Sequence, residues 1–183
     1  MEKKPEDKMS KKVIAETKKL FEEFLTQMGL DSDIKVEISK SNKEAAVQAG
    51  SGTEETGLHP NEEINYVNVK LEGEHLSELV GYHGRNLEAA QTILGLILSK
   101  RLDSKSYRLV LEINDYRERR EKYLLGYAER AALQVRESGQ ELELPPMKPA
   151  ERRVIHLALK KEQGVVSKSI GEGEERRIVV YKS

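Results

Sequence analysis

The sequence predicts an α+β protein made of two small α/β sandwich domains. Apolar residues recur with a helical spacing in some segments and with the alternation of strands in others, and both patterns occur before and after about residue 114. A sheet covered by helices on one face buries both kinds of apolar stripe. We therefore expect a disordered lead-in at residues 1–11, a first domain at 12–114 and a second domain at 115–183.

Composition limits the chemistry that this chain can perform. The 183 residues include no cysteine, which excludes disulfides, thiolate-bound zinc, iron–sulfur clusters and cysteine nucleophiles. The first residues are charged and lack the apolar stretch of a signal peptide, and no run approaches the roughly 18 apolar residues of a membrane span. We expect a cytoplasmic protein that does not insert into a membrane.

The first domain opens with an amphipathic helix. Apolar residues from Val13 to Met28 follow the helical i, i+3, i+4, i+7 spacing, and Gly29 stops the pattern. Residues 34–38 then alternate apolar and polar side chains, which predicts a half-buried strand. The following segment, 41–63, is rich in Ser, Gly and Glu and predicts a mobile connection.

The remaining pattern of the first domain is strand, helix, loop, helix and strand. Alternation at 67–71 and at 109–113 predicts the two strands. A short helix at 74–80 precedes a long one at 87–98, and Gly-Tyr-His-Gly, residues 81–84, lies between them. The predicted order of the domain is helix, strand, strand, helix, helix, strand.

This order, with a Gly-x-x-Gly loop between its last two helices, resembles a K homology domain of the bacterial type II arrangement. The resemblance implies that the loop clamps the backbone of a single strand. Glycine reaches positive φ and exposes backbone amides, and the N-terminus of the following helix favours a phosphate. The loop centre departs from the basic residues common in that family, and a simple exposed turn is the alternative. The candidate RNA-binding residues of the loop are Gly81, Tyr82, His83, Gly84 and Arg85.

The second domain combines two helices with a hairpin. A long amphipathic helix runs from Tyr116 to Gly139, a short strand follows at 142–144, and Pro149 suits the first turn of a second helix. The final residues, from 165 to 181, indicate two strands around a glycine-containing turn. These elements predict a second small α/β domain.

Positive charge is concentrated in the second half of the chain, although the formal net charge is -1. From Lys100 to Arg136, ten Lys and Arg residues stand against six Asp and Glu residues. This distribution favours a nucleic acid as partner, with solvated helix faces as the alternative. Arg117 or Arg120 could equally form salt bridges that hold the two domains together. The further candidate RNA-binding residues are Arg117, Arg119, Arg120, Arg152, Arg153, His156 and Lys160.

Arg152 and His156 stand four residues apart, so both project from one face of the predicted helix. This pair resembles that of the R-three-H domain, which is associated with single-stranded nucleic acids, and the surrounding segments DYRERRE, PPMKPAERRVIHLAL and VVSKSIGEGEERRIVV strengthen the match. Residues 12–183 together resemble the Jag, or SpoIIIJ-associated, family of bacterial RNA-binding proteins.

The Jag resemblance implies single-stranded RNA as the ligand, with single-stranded DNA as a second candidate. Arg152 would contact a backbone phosphate, and His156 would contact a phosphate or stack on a base. The resemblance also implies a small separate K homology protein as partner and a post-transcriptional role in bacterial cell elongation or envelope regulation.

Two other function classes stay open. A weak phosphohydrolase would use Arg152 and His156, but the four histidines lack a metal-ligand spacing, IGEGEE lacks the P-loop lysine, and no serine occupies a nucleophile elbow. We therefore expect no enzyme, no metal and no cofactor. A protein-interaction scaffold or homodimer would use Ile93 and Leu96, which lie away from the main apolar stripe of their helix.

Overall fold

Two hydrophobic cores organise the chain in the computed structural model, which describes residues 5–40, 65–104 and 106–183. The chain divides into two compact units, Met1–Tyr116 and Arg117–Ser183. Each unit combines helices with a small three-stranded sheet, which confirms the predicted α+β class. The division falls two residues beyond the boundary expected from the sequence.

The first unit begins with a longer helix than the sequence predicts. The helix starts at Pro5, so the predicted disordered lead-in is corrected for residues 5–11. The charged residues before Val13 are good helix formers, and proline suits a first turn. The predicted mobile connection, 41–63, lies outside the described residues. The described elements are α1 (Pro5–Met28), β1 (Asp33–Lys40), β2 (Asn65–Glu72), α2 (Ser77–Val80), a 3-10 turn (Tyr82–Gly84), α3 (Arg85–Leu102) and β3 (Tyr107–Ile113).

β2 is the central strand of the first sheet. It pairs antiparallel with β1 and parallel with β3, so that Val69 lies between Val36 and Leu111. Parallel neighbours need a crossover connection, and α2, the 3-10 turn and α3 provide it. Because side chains alternate along a strand, one face of the sheet is buried against α1 and α3. The largest side chains buried in the core between the sheet and these helices include Phe21, Leu71, Leu87, Leu98, Leu111 and Ile113.

The other face of this sheet carries a network of charges. Lys35 Nζ and Lys70 Nζ contact the two carboxylate oxygens of Glu72 at 2.7 and 2.8 Å. Lys70 Nζ also contacts Asp115 Oδ1 at 3.0 Å. The hydrogen bonds from Lys35 and then Lys70 lower the pKa of Glu72 to about 2, and the hydrogen bond to Glu72 is the main cause that raises the pKa of Lys70. The network thus joins β1, β2 and the chain after β3.

The second unit packs two helices against a three-stranded antiparallel sheet. β6 is its central strand, and β5 forms one edge. The short strand, the helix beginning at Pro149 and the C-terminal hairpin agree with the sequence pattern. The elements are α4 (Tyr116–Ser138), β4 (Leu142–Glu143), α5 (Pro149–Leu159), β5 (Val165–Ile170), a 3-10 turn (Gly173–Glu175) and β6 (Arg177–Lys182). The core includes Leu124, Val135, Ile155, Leu159, Ile178 and Val180.

No helix in the three described ranges is both long and apolar enough to cross a membrane. The longest ones, α1 and α4, are amphipathic and carry many charged residues along their exposed faces. Their apolar sides belong to the two cores described above.

Glu72 gives the first unit a defined response to acid. Because its pKa in the folded chain is about 2, below the ordinary 4.5, its contribution to stability is present above about pH 4.5 and is lost as the pH falls through 2. We expect Glu72→Gln to lower the free energy of unfolding slightly at pH 7. In this variant the free energy of unfolding should also fall less steeply between pH 4.5 and about pH 2. Urea titrations at several pH values measure both effects.

Glu37→Gln is the matched control, since Glu37 is exposed on the neighbouring strand β1 and has no ion pair within the described residues. High salt should shrink the effect of Glu72→Gln, because its partners lie at the surface. Identical pH profiles for wild type and Glu72→Gln at low salt would contradict this account.

Candidate nucleic-acid interface

The two glycines of the Gly-x-x-Gly loop are required by the turn itself. Gly81 and Gly84 have φ of 66° and 74°, a region that side-chain-bearing residues rarely adopt. A Cβ on Gly81 would overlap the side chain of Asn86, whose Nδ2 donates to Glu78 O at 2.8 Å. A Cβ on Gly84 would stand 2.8 Å from the ring of Tyr116. The alternative of a tight turn therefore accounts for both glycines.

The amides of these glycines are used within the chain. Gly81 N–H donates to Ser77 O at 3.0 Å and so ends α2, and Gly84 N–H donates to Gly81 O at 3.3 Å. The geometry corrects the expectation that these two amides face a phosphate. What the loop presents to solvent is its side chains, of which Tyr82 and Arg85 are exposed.

Tyr82 and His83 form a stacked aromatic pair at the centre of the loop. Their ring centroids are 3.9 Å apart and their planes differ by 15°. Tyr82 is 70% exposed, whereas His83 is half-buried and has φ of 50°. The pair supplies an aromatic surface at the centre of the loop. Arg85, at the start of α3, adds a cation to the same loop.

The second unit gathers Arg152 and His156 of α5 over the edge strand β5. Arg152 Nη1 donates to Ser169 Oγ at 2.7 Å, and His156 Nδ1 lies 2.8 Å from Ser167 Oγ. Arg176, which precedes β6, donates from Nε to Ser169 Oγ at 3.2 Å. We call these five residues the arginine cluster.

Two regular spacings produce the arginine cluster. Arg152 and His156 are one helical turn apart and share a face of α5, while Ser167 and Ser169 share a face of β5. Both serines lie on the same face of β5 as the buried Val165. Their paired residues on β6 are Val180 and Ile178, which belong to the core of the second unit. The predicted one-face arrangement of Arg152 and His156 is therefore present.

The arginine cluster carries positive charge without a compensating carboxylate. Within the described residues, neither Arg152 nor Arg176 makes an ion pair. The adjacent Arg177 differs, because its Nε contacts Glu143 Oε2 at 2.6 Å. Two guanidinium groups that share one hydroxyl repel each other, so an anion placed between them would be stabilised.

Sequence reasoning missed Arg176 and the two serines. The signal was available in the alternation of β5, where Ser-Lys-Ser places two hydroxyls on the helix-covered face. The position of Arg176 was not readable in this way, because it depends on how the chain between β5 and β6 folds back.

Arg120, one of the predicted RNA-binding residues, forms an ion pair with a carboxylate of the same unit. Its Nε contacts Glu151 Oε1 at 2.7 Å, and the two side chains are only 18% and 11% exposed. Arg120 does form a salt bridge, but the pair joins α4 to α5 inside the second unit and does not hold the two predicted domains together. Glu151 Oε2 also accepts the N–H of Lys148 at 3.3 Å, which helps to begin α5.

The other predicted basic residues are spread over the surface of the second unit. Arg119 on α4, Arg153 on α5 and Lys160 just after α5 are exposed, and Arg117 is half-buried. Of these, the backbone N–H of Lys160 donates to His156 O at 3.0 Å. The described residues include no group of three acidic or histidine side chains suited to a metal ion.

Comparison with known proteins assigns the second unit. Residues 122–182 match the R-three-H domain, which is the domain that the Arg152 and His156 pattern resembles. The chain is 36% identical over 121 residues to a protein named RNA-binding protein KhpB from Clostridium symbiosum, a match that covers 66% of this chain and 54% of the relative. The protein of that name from Streptococcus pneumoniae is 32% identical over 114 residues, which is 62% of this chain and 34% of the relative.

A third relative, RNA-binding protein KhpB from Bacillus subtilis, is 30% identical over 116 residues, covering 62% of this chain and 55% of the relative. The matched region thus spans about half the length of these curated relatives, or less. Together with the R-three-H domain, these relatives confirm the predicted resemblance to Jag-type proteins.

The steric role of Gly84 is testable by comparison with Gly29. Gly29 has φ of 66°, and a methyl group added there would meet nothing within 4 Å. Gly29→Ala should therefore lower the free energy of unfolding only by the strain of a left-handed alanine, about 1 kcal/mol. Gly84→Ala adds a contact with the Tyr116 ring and should cost more than about 2 kcal/mol. Chemical denaturation measures both. Equal losses would show that Tyr116 does not restrict the turn.

The Arg120–Glu151 pair is testable in the same way. Arg120→Ala leaves a largely buried carboxylate without its cation and should destabilise the second unit by about 2 kcal/mol or more. Arg177→Ala, which breaks the more exposed pair with Glu143, should cost about 1 kcal/mol or less.

The double variant Arg120→Leu with Glu151→Leu should recover much of the stability lost in Arg120→Ala, because no buried charge remains. Thermal unfolding followed by circular dichroism ranks the three variants. A loss in Arg120→Ala no larger than that in Arg177→Ala would mean that the pair is not structurally important.

Proposed function

We propose that this chain binds single-stranded RNA and that the arginine cluster holds a backbone phosphate at the edge of the second sheet. The observation that carries the proposal is the convergence of Arg152 and Arg176 on one serine hydroxyl, with no carboxylate partner among the described residues. A phosphate oxygen would balance both cations and accept several charge-assisted hydrogen bonds.

Arg152 keeps most of its hydrogen-bonding capacity for such a ligand. A guanidinium has five N–H donors, and the contacts of Arg152 inside the chain use its Nε, on Met147 O at 3.3 Å, and one donor of Nη1. Ser169 and Met147 therefore act as supports that fix the plane of the group. A guanidinium held in one orientation loses less conformational entropy when it binds.

His156 complements the two arginines. Its Nδ1 is engaged with Ser167 Oγ, so its Nε2 is the ring nitrogen left to contact a ligand. When the serine hydroxyl donates to Nδ1, Nε2 carries a proton and donates to a phosphate. The exposed ring also offers a face on which a base can stack.

The names of the relatives and the R-three-H domain support RNA as the ligand. In the first unit, the order of described elements supports a type II K homology domain at about residues 12–114, with the loop Gly81 to Arg85 as a second contact surface. There Tyr82 would stack on a base and Arg85 would attract a phosphate, while the glycines shape the turn.

The wider role that we propose is that of a cytoplasmic post-transcriptional regulator acting on bacterial cell elongation or the cell envelope, by binding rather than by catalysis. A small separate K homology protein would be its partner, and single-stranded DNA would be a weaker second ligand. A protein-contact surface is the second candidate function, because Ile93 and Leu96 of α3 are 58% and 68% exposed. Protein association that survives nuclease treatment would favour this candidate.

We expect the full chain to bind a single-stranded RNA oligomer with an affinity that falls steeply with salt. Each neutralised phosphate contributes about -0.7 to the slope of log affinity against log salt, so several contacts give about -2 or steeper. Arg152→Ala and Arg176→Ala should each weaken binding about tenfold or more and make the slope shallower by about 0.7. Fluorescence anisotropy across a salt series measures both quantities.

Arg177→Ala is the matched control, because it removes an equal charge from the neighbouring position but breaks an existing ion pair with Glu143. It should change affinity much less than Arg176→Ala. Arg152→Lys keeps the charge and loses the planar fork, so we expect an intermediate affinity. Equal effects of Arg176→Ala and Arg177→Ala would indicate general charge attraction, and absence of RNA binding by the wild type would refute the proposed function.

A further inference from the structure

A stripe of two aromatic rings flanked by two cations runs along α4, and of its four residues only Arg120 belongs to the predicted site. Arg120, Tyr123, Tyr127 and Arg130 follow one another at intervals of three, four and three residues. This spacing places all four on one side of a helix, over a length of roughly 15 Å. We call these four residues the tyrosine stripe. None of the sequence motifs that indicated nucleic-acid binding includes its two tyrosines.

The rings of the tyrosine stripe are held in a fixed arrangement. The centroids of Tyr123 and Tyr127 are 6.0 Å apart, with an angle of 22° between the planes. Arg120 Cζ lies 5.3 Å from the Tyr123 ring centroid, and Arg130 Cζ lies 5.9 Å from that of Tyr127. Each ring therefore has a guanidinium group on one side and the other ring close by.

The two tyrosines differ in burial. Tyr127 packs against the second core, and burial is the main cause that raises the pKa of its hydroxyl. Tyr123 is 53% exposed. Tyr127 thus fixes one end of the arrangement to the core, while about half of the Tyr123 side chain is open to solvent. A rigid exposed ring loses little conformational entropy when another flat group stacks on it.

Arg130 shows that the stripe keeps a cation close to the helix. A Cβ on Gly126 would stand 3.3 Å from Arg130 Nη1, so the glycine leaves room for this side chain to lie along α4. Glycine is a poor residue for the interior of a helix, and here its small size has a packing consequence. Arg130 makes no ion pair within the described part of the chain.

Arg120 relates the tyrosine stripe to the helix that carries Arg152. Its guanidinium, which packs against Tyr123, contacts Glu151 of α5 at 2.7 Å. Glu151 is followed in α5 by Arg152. The ring and the proposed phosphate site therefore belong to two helices of the second unit that this ion pair joins.

We propose that Tyr123 is a stacking platform for a base of the RNA strand whose phosphate is held by the arginine cluster. This inference rests on the proposed function and extends it from the phosphates to the bases. Charge complementarity favours RNA as the occupant. Arg130, the next cation along the stripe, has no carboxylate partner among the described residues. An RNA strand brings a phosphate on either side of each base, and such a phosphate would balance this charge. Stacking accepts any base, so the platform adds affinity with little sequence preference.

The test compares an RNA oligomer with an abasic strand of the same length and the same phosphates, using the full chain. Wild type should bind the RNA more tightly than the abasic strand. Tyr123→Leu removes the π-face and should weaken RNA binding by about 5- to 100-fold, with affinity for the abasic strand and the salt slope nearly unchanged. Tyr123→Phe keeps the ring and should bind like the wild type.

Leu125→Ala is the matched control, since Leu125 is a similarly exposed apolar residue on another side of α4 and should not affect RNA binding. Circular dichroism confirms that each variant is folded. Because the chain contains no tryptophan, Tyr123→Trp introduces a single indole at the platform. Its fluorescence should be quenched by the RNA oligomer and not by the abasic strand.

The outcomes separate this inference from the proposed function. RNA binding that is lost in Arg152→Ala but unchanged in Tyr123→Leu overturns the platform alone. A Tyr123→Leu variant that changes self-association in sedimentation without changing RNA affinity assigns the stripe to a protein contact, which also overturns the platform. Absence of RNA binding by the wild type overturns both.

Discussion

The surface of the second unit depends on the half-buried ion pair between Arg120 of α4 and Glu151 of α5. The two residues stand 31 positions apart in the sequence, and their contact joins the two helices of the unit. Arg152, which follows Glu151, contacts Ser169 of β5. The same Arg120 guanidinium packs against Tyr123. Such a pair adds little net stability after desolvation, whereas loss of one partner leaves a buried charge.

The two units present similar chemistry by different means. In the first, two glycines allow a tight turn that displays Tyr82, and Arg85 stands at the helix that follows. In the second, a helix and an edge strand hold two arginines over a serine, and Tyr123 stands on the neighbouring helix. In our proposal each unit offers a flat ring for a base and a cation for a phosphate, the combination that suits a single strand.

Much of the fold was predictable because its signals are local. The alternation of β2 and β3, the stop at Gly29 and the helix start at Pro149 follow from side-chain periodicity and from the backbone preferences of glycine and proline. The error at residues 5–11 has a physical reason, since charged residues that bury little can still continue a helix nucleated by the apolar stripe after them. Arg120 was ambiguous in the sequence, because a basic residue beside a helix core suits an ion pair as well as a phosphate.

The sequence by itself determined the α+β class, the two units, the Gly-x-x-Gly turn and the one-face placement of Arg152 and His156, because periods of two and 3.6 residues fix which side chains share a face. The tertiary structure alone decided three further points. It placed Arg176 and Arg152 on the same hydroxyl, paired Arg120 with Glu151, and directed the glycine amides into the turn. These depend on contacts between residues that are distant in the sequence, or on dihedral angles set by packing, and local periodicity carries no information about either.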